Sequence, residues 1–174
     1  MALHDNIFLI GFMGSGKTHW GKLWAAEKGM EFFDLDEMIE QEEQRTIAAI
    51  FEQKGEAYFR DKETSTLKTF AVKNNCIIAC GGGAACFNNN MQWMNEHGIT
   101  VYLSATAPDI LKRVLQENEQ EKRPVIKNIP PDKLLDFIEN KLQEREMYYR
   151  QSKIILPVND ITTASIHTIN RSLV

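Results

Sequence analysis

Asn6-Ile7-Phe8-Leu9-Ile10-Gly11-Phe12-Met13-Gly14-Ser15-Gly16-Lys17-Thr18 is a short apolar run that passes straight into G-x-x-x-x-G-K-[ST]. The apolar half predicts a buried strand, Asn6–Ile10. Behind the loop, Trp20-Gly21-Lys22-Leu23-Trp24-Ala25-Ala26-Glu27-Lys28 carries a helical pattern that stops at Gly29, a residue suited to a helix C-terminus. Strand and helix flanks together separate a phosphate loop from a merely structural glycine turn. Gly14, Ser15 and Gly16 let backbone N–H groups curl around phosphate oxygens, Lys17 adds a mobile cation, and Thr18 can offer its hydroxyl to Mg²⁺. A nucleoside triphosphate is the ligand this stretch calls for.

Outward from the loop, short continuous apolar runs alternate with helix-period segments. That alternation predicts an α/β fold, a parallel sheet covered by helices on both faces. The expected strands are Asn6–Ile10, Glu31–Leu35, Cys76–Cys80, Ile99–Leu103 and Lys153–Leu156. Between the second and third lies a long helical region that Gly55 divides into Thr46–Lys54 and Glu56–Lys73, an insertion able to cover a substrate. Ala107-Pro108 opens a helix to about Gln116, and the polar run from Glu117 to Pro124 reads as a mobile segment. Pro130-Pro131 starts a helix from Asp132 to about Arg150, and a last helix is expected over roughly Thr163–Leu173.

At 174 residues, with 43% hydrophobic and 25% charged residues, the chain fits one domain. Its longest apolar runs are strand-sized and fall short of the ~20 residues of a membrane span, so no membrane partner is expected. A net charge of −4 without a basic stripe argues against nucleic acid. Met1–Asp5 lacks the basic and apolar regions of a secretory signal, so a cytoplasmic location is expected. Cys76, Cys80 and Cys86 have no zinc-like spacing and read as core thiols.

Ligands of open α/β sheets bind at the carboxyl ends of the strands. Asp34 and Asp36 end the second strand, where a period of two would place both carboxylates on one side. One could hold Mg²⁺ through water beside Thr18, and the other could align or deprotonate an attacking hydroxyl. The bland reading has Asp36 capping a helix over Glu37–Gln44. Gly81-Gly82-Gly83 presents bare backbone to a ligand after the third strand, and no Asp stands there to serve a metal, which leaves Asp34. Arg60 and Arg145 sit among acids, with Glu63 offering Arg60 a routine pair at i+3. Arg123, before Pro124, could enter as a lid arginine and neutralise charge on a transferred phosphoryl group.

Taken in order, Gly11–Thr18, Asp34-Leu35-Asp36, Phe59-Arg60-Asp61-Lys62-Glu63, Gly81-Gly82-Gly83, Arg123-Pro124 and Arg145-Glu146-Met147-Tyr148-Tyr149 resemble the shikimate kinase family over nearly the whole chain. The resemblance implies a P-loop kinase of the nucleoside monophosphate kinase type: three α/β/α layers around a five-stranded parallel sheet of order 2-3-1-4-5. It implies one kinase domain, with a substrate-binding insertion at about 36–73 and a lid at about 117–128. The implied reaction is ATP-dependent phosphorylation of the shikimate 3-hydroxyl, a step toward chorismate and the aromatic amino acids, by a monomer acting on small molecules. Lys17 and Arg123 would contact ATP, Thr18 and Asp34 would hold Mg²⁺ (Asp34 through water), and Asp36 would engage the acceptor hydroxyls. Arg60 and Arg145 would clamp the acceptor carboxylate, with Gly81, Gly82 and Gly83 closing over the ring. Gln116 stands where the family often has an arginine packing on adenine, with Arg113 one helical turn earlier; Val125-Ile126 replaces two leucines, and Lys153 a small residue. A gluconate-type kinase on the same scaffold, or a silent nucleotide- or shikimate-binding regulator, are the competing readings. The first would not need both Arg60 and Arg145, and the second would not need a lid arginine.

Overall fold

The computed structural model describes residues 6–116 and 126–171. Five parallel strands, β1 (Ile7–Ile10), β2 (Glu31–Asp34), β3 (Cys76–Ala79), β4 (Ile99–Ser104) and β5 (Ile154–Pro157), form one sheet ordered β2-β3-β1-β4-β5. That is the expected order. Burial explains it: β1 and β3 are buried at every position, as central strands covered on both faces must be, whereas β2 and β5 at the edges keep exposed residues. Asn6 locks the start of the register, since its Nδ2 donates to the carbonyls of Phe70 and Lys73 while its Oδ1 accepts from Cys76 N–H.

The helices are α1 (Lys17–Lys28), α2 (Leu35–Glu43), α3 (Ile47–Lys68), α4 (Asn90–His97), α5 (Ala107–Gln116), α6 (Pro131–Tyr149) and α7 (Ser165–Arg171). Gly29 closes α1 in the left-handed conformation. At Gly55 (φ 84°, ψ 168°) α3 kinks, dividing it where the sequence suggested. Thr46 caps its start by accepting from Ala49 N–H. Helix α4 was not expected. Its Asn88-Asn89-Asn90 entrance reads as loop, with Asn88 and Asn89 both left-handed, and only the burial of Met91 and Met94 shows what the helix contributes. Cys76 and Cys80 are buried free thiols and Cys86 is half-buried. Among the described residues no group of three or more His, Cys, Asp or Glu could hold a metal, and no helix is long and apolar enough to cross a membrane.

Candidate active site

The carboxyl ends of β1, β2 and β3 open into one cleft of about 1240 Å³. On its floor the phosphate loop joins β1 to α1 with Gly11, Gly14 and Gly16 at positive φ, which side chains rarely adopt. Lys17 Nζ donates to the carbonyls of Gly11 and Phe12, each at 2.9 Å, and so folds back over the loop it follows. Ser15 is fully buried within the loop and is not among the residues that line the cleft.

Thr18 Oγ1 donates to Asp34 Oδ2 at 2.7 Å. The other oxygen of Asp34 accepts from the N–H groups of Asp36 and Glu37, at 3.1 and 3.4 Å, and caps α2. Two readings of the sequence change here. The strand ends at Asp34 and Leu35 already begins α2, so Asp34 and Asp36 do not share a strand face. The capping carboxylate is Asp34, not Asp36, which lies in the first helical turn. Both nevertheless line the cleft, because the strand turns into the helix with no intervening loop.

Arg60, on α3 after the Gly55 kink, is only 7% exposed. Glu56 accepts from its Nε and Nη2, at 3.2 and 3.0 Å, and Glu63 Oε2 accepts from Nη1 at 2.9 Å. The pair with Glu63 is no routine surface contact. Glu63 is fully buried, and burial lifts its carboxyl to about 7, with the Arg60 charge opposing and Asp36 adding to the rise. A methyl group on Gly81 would fall 2.8 Å from Glu63 Oε1 and 2.9 Å from Asp36 Oδ1, so these carboxylates flank the first glycine.

The triple glycine is where the arginines converge. A methyl group on Gly83 would lie 2.5 Å from Arg60 Nη1, and one on Gly82 would lie 3.4 Å from Arg145 Nη1 and from the N–H of Met13 in the phosphate loop. Arg145, on α6, stands with its guanidinium 5.3 Å from the Phe12 ring centroid. Two cations therefore bracket a strip of bare backbone beside the phosphate loop.

Residues 13–173 match the shikimate kinase family. A shikimate kinase of Bacteroides thetaiotaomicron is 40% identical over 155 residues, 89% of this chain and 87% of its relative. A solved structure of shikimate kinase from the same organism superposes with a TM-score of 0.84 at 35% identity, covering 97% of this chain and 96% of that one. Shikimate kinase from Acinetobacter baumannii in complex with shikimate gives 0.81 at 31% identity, over 98% and 91%. The chain belongs to the shikimate kinase family.

In this kinase Gly14, Gly16, Lys17, Thr18, Asp34, Asp36, Arg60, Gly81–Gly83 and Arg145 all line the one cleft. Arg123 lies outside the described residues, as does most of the expected lid. Gln116 also lines the cleft, but Arg113 is the residue tied to the loop, donating from Nη1 to Gly14 O at 2.9 Å. Of three further contributors, two had no role legible in the sequence. Glu63 was legible only as a partner of Arg60. The Tyr149 hydroxyl, fully buried, donates to Gly82 O and so holds the middle glycine. Phe87 lays its ring over Arg60, 4.3 Å from centroid to Cζ. No local spacing announces contacts of this kind.

Proposed function

We propose that the enzyme transfers the γ-phosphoryl group of ATP to the 3-hydroxyl of shikimate, a step toward the aromatic amino acids. The observation that carries this reading is that Arg60 and Arg145 reach adjacent glycines of the triple glycine, beside the phosphate loop. A planar carboxylate between them can accept from both guanidinium groups, and the flat backbone admits a ring.

On the donor side Lys17 exchanges its bonds to the Gly11 and Phe12 carbonyls for phosphate oxygens. Thr18 Oγ1 and Asp34 Oδ2 form the oxygen pair suited to Mg²⁺, Asp34 acting through water, since that ion prefers hard oxygens and keeps part of its water shell. Bound there, Mg²⁺ would supply charge neutralisation on the phosphates. Asp36 accepts the hydrogen bond of the acceptor hydroxyl, sets its oxygen in line with the γ-phosphorus and takes its proton as the new O–P bond forms and the bond to the departing ADP oxygen breaks. Arg123 is assigned to the transferred group on its Arg-Pro motif in the lid, about 117–128. The insertion, about 36–73, brings Asp36 and Arg60 to the acceptor. Arg113 and Val158 also line the cleft. The same reading has a cytoplasmic monomer working on small molecules, without nucleic acid or membrane.

An ADP-release assay over shikimate, gluconate and nucleoside monophosphates tests this. Turnover with shikimate alone is expected; turnover with another acceptor and none with shikimate would overturn it.

A further inference from the structure

Phe87 is an exposed apolar residue with a specific position. It follows the turn Ala84–Cys86 and keeps 37% of its surface in contact with solvent, so burial alone does not fix where its ring lies. Its ring instead faces the Arg60 guanidinium at 4.3 Å, closer than Phe59 at 5.1 Å or Phe51 at 5.9 Å. The next residue ties the same loop to the same helix. Asn88, left-handed at φ 51°, reaches Arg60 O and Asp61 Oδ1 at 3.3 Å and Thr64 Oγ1 at 3.0 Å through its Nδ2.

Glu56 and Glu63 restrain Arg60 within the guanidinium plane, but in-plane bonds do not stop the group from tilting. A ring face on one side and a backbone strip close by do. We propose that Phe87 and Asn88 form a clasp from the β3–α4 loop onto α3, making them positioning residues that hold the Arg60 guanidinium at the angle needed to receive the acceptor carboxylate. This rests on the reading of Arg60 as part of the carboxylate clamp. The ring contributes a cation–π face, and Asn88 keeps the loop in register with the helical turn that carries Arg60.

Steady-state kinetics of Phe87→Ala, Phe87→Leu and Phe87→Tyr, each alone and combined with Arg60→Ala, test the clasp. Phe87→Ala is expected to raise the shikimate KM about fivefold, equivalent to about 1 kcal/mol, with kcat and the ATP KM within about twofold. Phe87→Leu, which keeps bulk but lacks the ring face, should behave like alanine, and Phe87→Tyr should restore the wild-type KM. None should add an effect once Arg60 is alanine. A leucine variant equal to wild type, or an alanine effect that persists without Arg60, overturns the proposal. So does an unchanged shikimate KM in Phe87→Ala while Arg60→Ala raises it, whatever happens to Tm. An unchanged shikimate KM in Arg60→Ala instead removes the clamp reading itself.

Discussion

Gly83→Ala moves the Arg60 guanidinium without altering any charged residue. Gly83 adopts φ −95° and ψ −13°, where alanine is unstrained, so the backbone has no reason to shift. The added methyl would stand 2.5, 2.7 and 2.8 Å from Nη1, Nη2 and Cζ of Arg60. A relaxed contact needs about 3.5 Å, so the guanidinium must retreat by about 1 Å. The pairs with Glu56 and the buried Glu63 resist that retreat, so a fall in Tm of several degrees is expected, on the order of 1–3 kcal/mol. The retreat nevertheless takes the donors out of reach of the acceptor carboxylate. Hydrogen bonds to a charged group contribute about 1.5–3 kcal/mol, which corresponds to a rise in shikimate KM of roughly ten- to hundredfold. The ATP KM should stay within about twofold, because the donor loop is untouched. Initial-rate measurements with each substrate varied decide the matter: an unchanged shikimate KM in Gly83→Ala would refute the placement of Arg60 at the acceptor.

Asp36→Asn should leave ATP binding intact, measured by calorimetry, and lower kcat about 10²- to 10⁴-fold; wild-type turnover would remove Asp36 from the chemistry. Asp34→Asn keeps an oxygen for the α2 cap but loses the carboxylate charge facing Thr18, so the Mg²⁺ concentration for half-maximal activity should rise while Tm changes little. An unaltered Mg²⁺ curve would assign Asp34 to the cap alone. Glu63 has its pKa raised to about 7 by burial, so the folded protein holds a proton that the unfolded chain releases near 4.5. Stability from this group is full below about 4.5 and is lost as pH rises through about 7. Glu63→Gln should therefore flatten the fall of the urea midpoint between about pH 5 and 7.5; parallel profiles for the two proteins would contradict the buried, proton-binding carboxyl.

The phosphate loop, the continuous apolar runs of β1 and β3, and the breaks at Gly29 and Gly55 were legible because each reflects a demand that neighbouring residues meet. Asp34 and Asp36, which both line the cleft, were legible as two carboxylates at one strand end but not in their geometry. Period-two reasoning assumes the strand continues, and here Leu35 turns directly into α2. Helix α4 was hidden by three asparagines that resemble a loop until Met91 and Met94 find the core.

What the sequence by itself determined was the phosphate loop, the α/β alternation and the order of the strands that open the cleft, since local backbone conformation and hydrophobic periodicity are written within a few residues. Only tertiary structure decided that Arg60 lies against Phe87 and Gly83 with its Glu63 partner fully buried, and that Tyr149 holds Gly82 from 67 residues away. Burial, close approach and the angle of a guanidinium plane depend on which strand ends and helices the sheet brings together, and no spacing along the chain encodes them.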